Sequence, residues 1–168
     1  MIDYLAPSLD TTISGIASAV HLLATHPDQW EALRADPSLV PNAANEALRF
    51  EAPIRAFTRH VVDDVQVDGT TIPRGARVLV LYASANRDDL VWANPDAFDI
   101  HRDASAQLAF GRGPHSCAGQ GLARLETEAL LSTLVAKVSR IEPIGDPQWV
   151  RNNVIRCHRT LPLRLHAA

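Results

Sequence analysis

Cysteine is scarce in this sequence, with Cys117 and Cys157 the two among 168 residues. So few argue against a small secreted scaffold held by disulfides. No C-x-x-C occurs, which argues against zinc ribbons and thioredoxin-like redox motifs. No apolar run approaches the length that spans a bilayer. Positive charge is not in excess: 16 Lys and Arg stand against 19 Asp and Glu, for a formal net charge of -3. That argues against a nucleic-acid-binding domain with a strong basic footprint. Met1-Ile2-Asp3-Tyr4 carries an acid where a secretory leader carries positive charge. Repeats and low-complexity tracts are absent as well. What remains is 46% hydrophobic residues, in a length sufficient for one domain with its own core. Two lone cysteines suit a reducing cytoplasm, where each must be a core thiol, a nucleophile or a ligand.

Periodicity predicts an opening helix, because Ile13, Ile16, Ala17, Val20, Leu23 and Ala24 follow the three-and-four spacing of one apolar face. Pro7 should interrupt its first part, and His26-Pro27 should end it. Pro27 then starts a short helix with Trp30 and Leu33, closed by Asp36-Pro37. A third helix is expected from about Pro41 to Phe50, stopping before Pro53. Val65 and Val67 alternate with polar residues, Asp68-Gly69 signals a hairpin, and Arg77 to Tyr82 reads as a strand after the Pro73-Arg74-Gly75 turn. From Ala83 to Ala109 periodicity is weak, with a loop at Asn94-Pro95-Asp96. A glycine-rich stretch, Gly111 to Gly121, precedes a long helix expected to turn Leu122, Leu125, Ala129, Leu130, Leu134 and Val138 inward. Val154-Ile155 and Leu161 to Leu165 look like strands. The expected fold is α+β, mainly helical, with a small sheet. The chain begins almost inside a helix whose apolar face needs partners, and it reads as cut from something longer.

The most informative stretch is Phe110-Gly111-Arg112-Gly113-Pro114-His115-Ser116-Cys117-Ala118-Gly119. Two glycines and a proline make a preshaped loop. Cys117 sits where that loop meets the helix, whose free N–H groups and partial positive charge favour an anionic sulfur. Three other readings compete: a buried core thiol, a dinucleotide loop opening at Gly111-Arg112-Gly113, and a nucleophile paired with His115. The dinucleotide reading fails because position 116 is serine, Pro114 lacks a donor, and no strand–helix–strand unit surrounds it. Nucleophile pairs usually meet in space from distant segments.

The ten residues match F-x-x-G-x-x-x-C-x-G, so the chain resembles the cytochrome P-450 family around its haem loop. The resemblance extends to Glu46-Ala47-Leu48-Arg49, similar to the family's E-x-x-R. It also covers Ala6-Pro7-Ser8-Leu9-Asp10-Thr11-Thr12, similar to the oxygen-activation stretch A-G-x-D-T-T. Ser8 departs from the usual glycine there, and Pro7 from the usual alanine. Nearly the whole chain is covered, in the family's order.

The resemblance implies the C-terminal haem-binding part of that fold, a partial domain over residues 1–168. It implies haem b, with iron held by Cys117 and with Phe110 and Gly119 beside the sulfur. Arg59 and His115 become partners for haem propionates, and Arg112 either joins them or faces a redox partner. Glu46, Arg49 and Arg102, the last in Phe98-Asp99-Ile100-His101-Arg102, become a structural triad beneath the haem. Asp10 and Thr11 become the acid–alcohol pair that delivers protons. Ile54, Arg55, Ala56 and Phe57, with Asn153 to Ile155, become part of the substrate pocket. The implied activity is insertion of one atom of dioxygen into a small organic substrate, with electrons from a ferredoxin-type or other partner. Two rivals stay open: a truncated haem-binding remnant without turnover, and a haem-thiolate enzyme that uses peroxide.

Overall fold

A computed structural model describes the backbone of residues 2–168 and the side chains of residues 8–168. The long first helix, α1 (Ile2–Thr25), is followed by α2 (Pro27–Ala35) and α3 (Val40–Phe50). Contrary to the sequence expectation, α1 continues through Pro7. A proline near a helix start removes one amide donor, which can leave the remaining turns intact; the Pro7 side chain lies outside the described residues. Pro27 and Pro37 begin α2 and a 3-10 turn, as their fixed φ favours.

The strands form four separate antiparallel pairs. β1 (Ala56–His60) pairs with β4 (Arg77–Leu81), and between them β2 (Val65–Val67) pairs with β3 (Thr70–Ile72). Asp68 and Gly69 both take positive φ at the β2–β3 turn, as a tight two-residue hairpin requires. A one-turn helix, α4 (Tyr82–Ala85), leads into irregular chain that reaches a 3-10 turn at Gly113–His115. Then come α5 (Gln120–Lys137), β5 (Val138–Pro143), β6 (Gln148–Trp149), β7 (His158–Thr160) and β8 (Leu163–Ala167). β5 pairs with β8, and β6 with β7. The strand expected at Val154-Ile155 is a loop, in which Ile155 makes an isolated bridge to Ile54.

The core gathers Leu22 and Leu23 of α1, Trp30 and Leu33 of α2, and Val40 and Ala43 of α3 with Phe98, Ile100, Leu131 and Ile141. Two helices bury only part of the face expected: Leu23 and Ala24 of α1, and Leu134 with Val138 at the end of α5, are inside as expected. In α1 the buried seam includes Ser14, Gly15, Ser18 and Ala19, whereas Ile13 is 57% exposed. Small residues let α1 approach α3 closely: a Cβ on Gly15 would stand 3.4 Å from Leu48 Cδ2. In α5 the inner side is Thr127, Leu131, Leu134 and Val135, continuing into Val138. Leu122, Leu125, Ala129 and Leu130, expected inside, are exposed. The helix carries apolar residues on more than one face, so periodicity alone does not choose between them.

Candidate functional site

The loop ahead of α5 is held by its own backbone. The Cys117 amide donates to the Phe110 carbonyl at 2.8 Å, Gly111 N–H to Leu108 at 2.9 Å, and Ser116 N–H to Gly113 at 3.0 Å. Gly111 and Gly113 have φ of 67° and 64°, a region that other residues enter at a cost. A Cβ on Gly111 would also lie 3.1 Å from the His115 carbonyl oxygen. The closed loop leaves Cys117 exposed just ahead of α5, whose first amide, on Gln120, donates to the Cys117 carbonyl at 3.4 Å. A Cβ on Gly119 would come within 4.0 Å of Cys117 Sγ, so glycine keeps the space beside the sulfur open. The Arg124 guanidinium lies 4.7 Å from the centre of the Phe110 ring and bonds Asn45 on α3 at 3.2 Å. One arginine thus braces the loop against a core helix.

A buried ion pair on α3 is tied to the chain ahead of this loop through Asn86, whose carbonyl accepts from Arg49 and whose side chain accepts from the Leu108 amide. Glu46 and Arg49 are three residues apart on α3, each 0% exposed, and meet in two bonds: Nε to Oε2 at 2.7 Å and Nη2 to Oε1 at 2.8 Å. The planar guanidinium matches the carboxylate, which is the geometry a buried pair needs. Arg49 also donates to the carbonyls of Asn86, Pro95 and Ala97 at 2.8–3.0 Å. Glu46 Oε1 accepts from the Asp99 amide at 3.0 Å and from Arg102 Nε at 3.3 Å. Arg102 in turn donates to Ala93 and Asn94. The three residues singled out in the sequence are therefore in contact, and they fasten irregular chain to α3. Sequence reasoning missed three helpers. Buried Asn86 accepts from the Leu108 amide at 2.7 Å, Asn42 donates to the carbonyls of Ile100 and Arg102, and Arg124 braces the loop.

The other expected residues lie on separate elements. On β1, Arg59 donates to the Tyr82 hydroxyl at 2.8 Å and to the Thr58 carbonyl. His115 ends the 3-10 turn and is exposed, and Arg112 reaches the Ala106 carbonyl at 3.4 Å. Asp10 is exposed and Thr11 half-buried on α1; the Asp10 carbonyl accepts from Ser14 Oγ at 2.6 Å. The two stretches expected to line a substrate pocket do meet. Ile54 bridges Ile155, Arg156 N–H donates to the Pro53 carbonyl at 2.8 Å, and Arg55 shares a cavity of about 550 Å³ with the 149–156 segment. Asn152 Oδ1 accepts from the amides of Val154 and Ile155 and so fixes the shape of that segment.

The family model of cytochrome P-450 matches residues 1–141. The chain belongs to the cytochrome P-450 family. Cytochrome P-450 CYP199A2 of Rhodopseudomonas palustris is 47% identical over 164 residues, covering 98% of this chain and 40% of that protein. Cytochrome P-450 monooxygenase PikC of Streptomyces venezuelae is 41% identical, covering 92% of this chain and 38% of that protein. Among solved structures, cytochrome P-450 CYP109Q5 from Chondromyces apiculatus superposes with a TM-score of 0.88 at 42% identity, over 95% of this chain and 42% of that one. The chain therefore spans about two fifths of the length of these relatives.

A haem is the cofactor that cytochrome P-450 membership implies, and the residues present fit it. Among the described residues no group of three or more His, Cys, Asp or Glu could hold a metal ion. The exposed sulfur and the open position at Gly119 leave room for a flat group, and Arg59, Arg112 and His115 are side chains of the kind that donate to carboxylates. Among the described residues, no helix is long and apolar enough to cross a membrane.

Proposed function

We propose that this chain is the haem-thiolate part of a monooxygenase, with haem b bound through Cys117. The observation that carries the reading is the exposed cysteine on a self-bonded loop just ahead of α5, in a chain that also buries the Glu46–Arg49–Arg102 cluster. When bound, the haem supplies the chemistry that inserts one atom of dioxygen into an organic substrate.

The chain's own residues supply ligand, position and protons. Cys117 would hold the haem iron through its sulfur, with Phe110 and Gly119 shaping the space around it. Arg59, His115 and Arg112 pair with the propionates; Arg59 is aimed by its bond to Tyr82. Glu46, Arg49 and Arg102 form that cluster and touch no reacting atom. The Thr11 hydroxyl orients a water, and the exposed Asp10 carboxylate relays protons to it from solvent. Ile54, Arg55, Ala56 and Phe57, with Asn153 to Ile155, face the substrate. Electrons come from a ferredoxin-type or other partner, and the cytoplasm is the compartment proposed for the protein.

The test is spectroscopic. After reconstitution with haem, reduction and addition of carbon monoxide, a thiolate-ligated haem gives a strongly red-shifted Soret band. Cys117→Ser should abolish that band, and its survival would remove Cys117 from the iron. The alternative is a haem-binding remnant without turnover. Haem retention without substrate-driven oxygen consumption would establish it.

A further inference from the structure

A cluster of rings and charges lies apart from both the cysteine loop and the Glu46 ion pair. Trp149 of β6 pairs with His158 of β7 in the ladder, and their rings stack with centroids 3.7 Å apart. His21 of α1 meets both edge-on, at 5.1 Å from His158 and 6.1 Å from Trp149. The Arg156 guanidinium lies 3.4 Å from the centre of the Trp149 ring and pairs with Glu51 at 3.2 Å. Both ring nitrogens of His158 are buried, and neither has a hydrogen-bond partner. The hairpin gripped in this way closes the 150–157 segment, through Val150 N–H to the Cys157 carbonyl at 3.0 Å.

We propose that His21, Trp149, Arg156 and His158 form a proton-operated latch that holds the hairpin and its 150–157 segment against α1. A proton on His158 would create a second buried N–H donor with nothing to accept from it. It would also place a cation among its neighbours Arg156 and His21. The charged and titratable groups acting on the pair come from four places: His21 on α1, His26 between α1 and α2, Glu51 after α3, and Arg156 in the segment itself. Glu51 alone favours protonation, and Arg156 already occupies it. Burial first, then His21 and Arg156, pushes His158 down to about 4. Burial also lowers His21.

The sign follows from linkage. Above the ordinary histidine value near 6.5, His158 is neutral whether the latch is closed or open. As pH falls from there toward about 4, the open state takes up a proton and the closed state does not, so closure weakens throughout that window. Below it both states are protonated and the loss levels off. The link to substrate access rests on the proposed function, through the cavity shared by Arg55 and the 149–156 segment; the latch itself is measured without haem.

Hydrogen exchange and histidine NMR on the full chain test it. Between pH 7 and pH 5, protection of the 150–157 amides, corrected for intrinsic exchange, should fall about twentyfold for one group moving between 6.5 and about 4. The α3 amides should hold. His158→Phe keeps a ring on Trp149 and removes that titration, so its protection should fall several-fold less than the wild type's across that range, the remaining fall coming from His21. If the variant loses its helical circular dichroism, the wild-type titration decides alone: His158 ring signals must move well below the ordinary value and in step with the segment. A His158 that titrates near 6.5, or a segment that opens equally in His158→Phe, overturns the latch. Neither readout depends on the carbon monoxide spectrum, so failure here and failure of the haem-thiolate reading are separable.

Discussion

At the scale of single residues, burial decides what a charge is worth. Glu46 and Arg49 are both fully hidden, so deleting one leaves the other as an uncompensated buried ion. Glu46→Ala should lower unfolding free energy by about 3–5 kcal/mol in urea titration, with haem content falling alongside. Arg102→Ala should cost less, because its guanidinium is 12% exposed and meets Glu46 through one bond of 3.3 Å. A haem-replete, stable Glu46→Ala that fails only in turnover would move the pair into the chemistry. The i, i+3 spacing of Glu46 and Arg49 was legible in the sequence, and the resemblance singled out Arg102. The carbonyls of Asn86, Pro95 and Ala97 were not legible, since every residue carries the same backbone acceptor and no side chain marks which ones converge. His158 escaped for a related reason: its neighbours Trp149 and His21 come from opposite ends of the chain.

At the scale of elements, helix positions were legible from proline and apolar spacing, but faces only in part: Leu23, Ala24, Leu134 and Val138 are inside as expected, while Ile13, Leu122 and Leu125 are not. The periodicity of α1 points to its large aliphatic residues, while the fold buries the small ones where α3 crosses close by. Gly15 tests that geometry. Gly15→Ala adds a Cβ at ordinary contact distance, 3.4 Å from Leu48 and 3.5 Å from Pro53, and should leave stability within about 1 kcal/mol, because Ala also favours the helix. Gly15→Leu should cost about 1–3 kcal/mol by overpacking. Equal melting temperatures for the two variants would show that the helices are free to separate there. In α5 the opposite ambiguity holds, because leucines lie on both the buried and the exposed sides, and only the neighbouring elements decide which side is core.

At the scale of the whole molecule, large apolar side chains stand in solvent on several elements. Leu9 and Ile13 do so on α1, Leu79 and Leu81 on β4, and Leu122 and Leu125 on α5, each more than half exposed. Exposed apolar positions drive self-association without adding to the core. Leu122→Lys together with Leu125→Glu should therefore raise the concentration at which this chain stays dispersed, judged by light scattering. Its melting temperature should stay within a few degrees; a large fall would place the two leucines in the core. The overall α+β character and the β2–β3 hairpin at Asp68-Gly69 were legible, whereas the other strand pairs were not. β5 with β8, for one, joins distant segments across the whole tail, and no local pattern specifies the partner.

The Glu46–Arg49 pair also behaves as a non-covalent crosslink. Its bonds close loops of 37 residues to Asn86, 46 to Pro95, 48 to Ala97 and 53 to Asp99. The entropy of closing a loop grows only with the logarithm of its length, about 0.6 kcal/mol for each doubling. Most of that entropic loss thus falls on whichever contact forms first, and the others follow at little further loss. The chain from Asn86 to Arg102, which has no strand or helix ladder of its own, should gain or lose its order in a single step.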